Sequence, residues 1–107
     1  MYAVIFRATI KQLDQDYDES AARMRTLAIE NYGCLEFMSM TEGDQEIAIS
    51  YWPSNEAIMA WRNDSEHKQV QAIGAKRWYR DYRVEVTKIE RDYHGGGKQE
   101  GKRVERD

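Results

Sequence analysis

Residues 34–52 read CLEFMSMTEGDQEIAISYW, two stretches of strand-forming residues on either side of a turn. Cys34 to Thr41 forms the first strand and Glu46 to Trp52 the second, and Glu42-Gly43-Asp44-Gln45 between them supplies the glycine that a tight reversal needs. So short a connection makes the pair an antiparallel hairpin. The chain builds outward from it, with a strand and helix before and a helix and strand after.

Upstream, Tyr2 to Ile10 alternates, with Val4, Phe6, Ala8 and Ile10 on one face and Ala3, Ile5, Arg7 and Thr9 on the other. Because Ala3 and Ile5 make the second face partly apolar, this strand expects cover on both sides. Asp16 and Glu19 have the spacing of a capping box and predict a helix opening near Tyr17. Its apolar stripe is Tyr17, Ala21, Met24, Leu27 and Ala28, and Gly33 ends it as a left-handed cap.

Downstream, Pro53 stops the second hairpin strand and Ser54 caps a helix with Ala57, Ile58 and Trp61 on one face. Asn63-Asp64-Ser65 breaks that helix. A second segment is expected from there to about Tyr82, with Val70, Ile73, Gly74, Arg77 and Trp78 along one side. Arg83 to Arg91 reads as the last strand, with Val84 and Val86 on one face. Residues 1–93 thus form one domain, and from His94 a Gly-Gly-Gly run and mixed charges predict a flexible tail over 94–107.

The order is β-α-β-β-α-β, which predicts an α+β, ferredoxin-like fold: a four-stranded antiparallel sheet with helices on one face. The other face would carry Ile5, Met38 and Met40, joined by either Ile47 and Ile49 or Ala48 and Trp52. An apolar patch of that size is rarely left in water, and a homodimer through the sheet face is the simplest way to cover it.

Composition narrows the function classes. The 107 residues are 41% hydrophobic and 33% charged, which suits one soluble domain. With 16 basic against 19 acidic residues and a net charge of −3, the chain has no basic excess to neutralise phosphates, so no nucleic-acid partner is expected. Lys98, Lys102, Arg103 and Arg106 are interrupted by Glu100, Glu105 and Asp107 and read as a solvated tail. The opening residues lack signal-peptide character, and no stretch approaches the roughly 20 apolar residues of a membrane span, so no membrane partner is expected. The lone Cys34 suits a reducing compartment, and a cytoplasmic location is expected.

From Tyr51 to Tyr93 the sequence YWPSNEAIMAWRNDSEHKQVQAIGAKRWYRDYRVEVTKIERDY resembles the antibiotic-biosynthesis-monooxygenase (ABM) family. The matching elements are Tyr51-Trp52, Ser54, Glu56-Ala57, Ala60-Trp61, Glu66-His67, Gly74, Trp78-Tyr79, Tyr82 and Val84-Glu85-Val86. With weaker signal in the first strand and hairpin, the resemblance extends over about the first ninety residues. It implies a dimeric α+β barrel in which two sheets close face to face. Family members oxidise aromatic polyketides without a cofactor, degrade haem or handle small signalling molecules.

Each candidate site residue has a functional and a plainer reading. Trp61 resembles the helix tryptophan that lines the pocket of enzymatic members, while its i, i+3 spacing from Ile58 is that of an ordinary core stripe. His67, in the first turn of a helix, is held toward its neutral form and is the candidate catalytic base; the plainer reading is a histidine packed at a helix start. Arg7 can bind a carboxylate or phenolate bidentately, or pair with Glu36 or Glu85 across the sheet. Tyr79, in an aromatic cluster with Trp78 and Tyr82, offers a phenol to a substrate or simply packs. Cys34 has no nearby histidine and reads as inert. With only His67 and His94 as histidines, no metal site is expected. The haem-degrading pattern is not kept, because Arg7 stands in the region of its strand asparagine and no ligating histidine follows. No nucleotide loop is present.

The function that the resemblance implies is a cofactor-independent monooxygenase acting on a small aromatic, quinol- or anthrone-like substrate. Trp61, His67, Arg7 and Tyr79 would serve it, although Ala57 stands near the position of an asparagine used by some oxygenases. The alternative is a non-catalytic dimer of the same fold that binds a small ligand or is purely structural. Polar groups converging on an open cavity would favour the enzyme, an open apolar cavity the binder, and a packed interior the structural dimer.

Overall fold

The first strand, β1 (Tyr2–Ile10), lies at the centre of the fold, hydrogen-bonded on both edges. The computed structural model describes residues 1–96, and the charged tail expected beyond His94 falls from residue 97 onward outside the described residues. The remaining elements are α1 (Gln15–Tyr32), β2 (Glu36–Glu42), β3 (Gln45–Trp52), α2 (Asn55–Arg62), α3 (Ser65–Ile73), a π-helical turn (Gly74–Trp78) and β4 (Tyr79–Lys88). The sheet order is β2-β3-β1-β4, with all neighbours antiparallel. This is the expected ferredoxin-like α+β arrangement, with the second helix broken in two.

Local chemistry sets most boundaries. Gly33 caps α1 in the left-handed region at φ 77°. Gly43, at φ 60°, sits in the turn that joins β2 to β3. The Ser54 side chain accepts from the Ala57 amide at 3.1 Å and opens α2, and Asp64 does the same for α3 through the Glu66 and His67 amides.

Several boundaries differ from expectation: β2 opens at Glu36 instead of Cys34, β4 closes at Lys88 instead of Arg91, and two more shift through contacts elsewhere in the chain. Helix α1 opens two residues early, capped by Asp14, whose carboxylate is also bound by the Trp78 indole N–H at 2.9 Å and by Arg77. The last helix stops at the π-turn instead of continuing to Tyr82, and the strand expected from Arg83 begins at Tyr79. The physical reason is long-range pairing. Ile10 pairs with Tyr79 across a β-bulge, and the amides of Lys11 and Gln12 both donate to the Trp78 carbonyl. The end of β1 thereby draws residues 79–82 into the ladder, overriding their local helical pattern.

The core lies between the sheet and the helices. Val4, Met24, Leu27, Ala28, Cys34, Trp52, Ile58 and Trp61 form it. Trp52 and Ile58 are fully enclosed, each contributing about 1.5–3 kcal/mol in apolar burial. Packing settles the alternative left open at β3: Trp52 lies in the core and Ala48 lines the space between sheet and helices, so Ile47 and Ile49 lie on the opposite face. There Ile5, Ile49 and Met38 form one row across three strands, and Arg7, Ile47 and Met40 the next. Among the described residues no helix covers this face, and Met40 is 65% exposed.

Candidate active site

A cavity of about 260 Å³ opens between the sheet and the helices. Its position follows from side-chain size. Trp52, Leu27 and Ile58 fill the core at one end, while small residues, Ala48 and Ser39 on the sheet and Ala21 on α1, leave space at the other. Phe6 and Phe37 line the floor, and Trp61, His67, Trp78 and Tyr79 line the walls.

One wall is a stack of two rings. The break between α2 and α3 folds His67 back over Trp61, with ring centres 4.1 Å apart and planes 22° from parallel. Trp61 is wedged in turn against Trp52 and, edge-on, Phe37. Burial pushes the His67 imidazole below its ordinary pKa, so the ring is neutral at pH 7. The Trp61 Nε1 and the His67 Nδ1 are enclosed without a hydrogen-bond partner among the described residues. Proton exchange between His67 and a ligand must therefore go through Nε2.

A second polar group lies on the sheet side. Glu46, only 7% exposed, lines the cavity and accepts a 2.6 Å hydrogen bond from the Tyr17 hydroxyl. The Tyr79 hydroxyl donates to the same carboxylate, 3.3 Å from either oxygen. Burial, then the bond to Glu46, pushes the Tyr17 phenol well above its usual range; burial and the Glu46 charge do the same to Tyr79. Both remain protonated donors. Sequence reasoning missed Glu46, although one signal was available: in QEIAISYW it falls in phase with Ala48, Ser50 and Trp52, so a charge shares the face of the most buried tryptophan.

Of the residues singled out in the sequence, Trp61, His67 and Tyr79 meet at this cavity, and Trp78 and Tyr82 join its lining. Tyr79 does so from the first position of β4 rather than from a helix. Arg7 does not reach it. Alternation puts Arg7 on the uncovered face of β1, where its guanidinium approaches Glu85 at 4.0 Å with both side chains about half exposed. That is the cross-sheet pairing that was the plainer reading. The Cys34 thiol is buried, donates to the Glu36 carbonyl at 3.2 Å, and is pushed above its ordinary pKa by burial, which disfavours the nucleophilic thiolate. Among the described residues no helix is long and apolar enough to cross a membrane.

No protein-family model matches the chain. An uncharacterised protein of Bacillus subtilis (strain 168), YqjZ, is 41% identical over 91 residues, covering 84% of this chain and 80% of YqjZ. The chain belongs to the YqjZ family. Its fold is the ABM fold that the residues from Tyr51 to Tyr93 resemble. SnoaB, a cofactor-independent oxygenase from Streptomyces nogalater, superposes with a TM-score of 0.71 at 12% identity, covering 85% of this chain and 94% of SnoaB. A solved antibiotic biosynthesis monooxygenase superposes with a TM-score of 0.62 at 17% identity, covering 83% of this chain and 98% of that one. At these identities the likeness is one of fold.

Proposed function

We propose that this YqjZ-family chain is a cofactor-independent monooxygenase acting on a small, flat, electron-rich aromatic such as an anthrone or quinol. The observation that carries the reading is the convergence of polar groups on an open cavity: a neutral His67, and Glu46 with its two phenols, around a largely aromatic interior. A packed interior would have favoured a structural dimer, and a wholly apolar cavity a passive binder.

Trp61 shapes the cavity wall against which the substrate ring packs, and Tyr79 orients a ring oxygen. His67, through Nε2, takes a proton from the substrate to leave a resonance-stabilised carbanion. The carbanion reacts with dioxygen directly: an anthrone CH₂ becomes C=O, one oxygen atom stays on carbon, and the other leaves as water with the two hydrogens. The protein's part is to bind, deprotonate and exclude bulk water. The working form is a homodimer in which Ile5, Met38, Met40, Ile47 and Ile49 of each sheet face the partner, and a free, buried Cys34 suits a cytoplasmic location.

The test is oxygen uptake by the purified protein with a panel of anthrones and hydroquinones, without added metal or flavin. Uptake that falls by about 10²-fold or more in His67→Phe, with the fold intact, supports the reading. No uptake across the panel, or uptake unchanged by that substitution, counts against it.

A further inference from the structure

Glu46 remains poorly compensated as the structure stands. An ionised carboxylate offers about four acceptor positions. Here one is filled by the short bond from Tyr17, and a single Tyr79 proton is shared at 3.3 Å between the two oxygens. No lysine or arginine forms an ion pair with it among the described residues. A carboxylate this buried, hydrogen-bonded by phenols alone, keeps acceptor capacity free, and Arg25 and Arg62, which line the same cavity, form no ion pair with it among the described residues.

The surrounding structure holds this group in place. Tyr17 stands in the first turn of α1, and Tyr79 follows the π-turn. The two are brought side by side by one clasp, in which Asp14 accepts from the Trp78 indole at 2.9 Å and binds Arg77. The Tyr17 ring meets the Trp78 ring edge-on at 5.4 Å. The carboxylate therefore has a fixed position on the cavity lining.

We propose that Glu46 is a recognition anchor for a ligand hydroxyl, so that the cavity selects aromatics bearing a phenolic O–H over those that can only accept hydrogen bonds. The proposal rests on the cavity being a ligand site, as in the function proposed above, and it adds the polar group the ligand must present. The ligand donates its O–H to Glu46 and supplies what Tyr17 and Tyr79 leave unmet. A hydrogen bond to a buried charged group contributes about 1.5–3 kcal/mol, or roughly tenfold and upward in affinity.

Calorimetric titration of the whole chain at neutral pH with three probes tests this: β-naphthol, its methyl ether and naphthalene. The titrations are run without dioxygen, so binding is read apart from catalysis. β-Naphthol is expected to bind about tenfold or more tightly than the ether, which can accept but not donate. Glu46→Gln should shrink that preference to a few-fold and leave naphthalene binding unchanged. In Tyr17→Phe, which removes a competing donor, the preference should hold or grow. Equal affinity for β-naphthol and the ether in the unmodified protein overturns the anchor, and that comparison needs no variant to fold. A preference that survives Glu46→Gln intact overturns it as well. If the anchor fails while anthrone-dependent oxygen uptake is present, the proposed function stands without it; if none of the three probes binds, the cavity reading falls and the anchor with it.

Discussion

The imidazole of His67 lies almost flat on the indole of Trp61, 4.1 Å between ring centres, although the two residues sit on different helices. The break at Asn63-Asp64 makes this contact. Asp64 caps α3 and sets its first turn so that the ring folds back over α2. A protonated ring there would lose solvation and meet the Arg62 charge, and Asp64 nearby offsets only part of that cost.

Stability should therefore depend on pH through His67. Its folded pKa lies below the ordinary 6.5, so below pH 6.5 the unfolded chain takes up protons that the folded chain does not. The stabilising contribution of neutral His67 is fully present above that pH and is lost as pH falls through the folded pKa. Urea midpoints should decline as pH falls below 6.5, and His67→Phe should flatten that part of the profile. If His67 is the catalytic base, turnover should hold while stability declines and fall only as pH drops through the folded pKa.

Trp61 is 7% exposed and packs against Trp52, Phe37 and His67. Trp61→Ala is expected to cost about 3–5 kcal/mol, read as a shift of the urea midpoint at constant m-value. Trp61→Phe should cost less, because it keeps an apolar ring in the wall. A loss under 1 kcal/mol for the alanine variant would show that the indole does not pack as described.

Gly74 starts the π-turn where an added side chain would be crowded. An added Cβ would meet the Tyr79 ring at 3.0 Å and the Trp78 ring at 3.3 Å. Gly74→Ala should therefore destabilise by about 1–3 kcal/mol. It should also shift Tyr79 away from Glu46, which a change in tyrosine near-ultraviolet dichroism would report. A variant as stable as the parent would mean that the turn relaxes freely.

The uncovered face should be the dimer contact. Met40→Lys places a charge beside Ile47 and Arg7, on a side chain that a lone chain leaves 65% exposed. Folding of the single chain should be unaffected. Burying an unpaired ammonium between two sheets costs at least ~2 kcal/mol, so self-association should weaken about thirtyfold or more in sedimentation equilibrium. An unmodified chain that sediments as a monomer would remove the sheet-face dimer outright.

Much of this fold was legible in the residues because its signals are local. The glycine of the β2–β3 turn, the Gly33 cap, the Ser54 cap and the break before Ser65 each act within a few residues, and the order of elements followed from them. Trp61 was legible as a site candidate through the family resemblance, and His67 because it falls in the first turn after that break. The tertiary structure decided the rest. Alternation shows which residues of β3 share a face, but with Ile47 and Ile49 on one side and Ala48 and Trp52 on the other it cannot show which side the helices cover. The start of β4 at Tyr79 depended on the pairing needs of β1, more than sixty residues away. Arg7 looked available for a ligand until the covered face was known. Glu46 became a candidate only because packing brings Tyr17, 29 positions away, and Tyr79, 33 positions away, onto one carboxylate. Contacts at that separation leave no periodic trace in the chain, since they depend on how the elements pack and not on how each one forms.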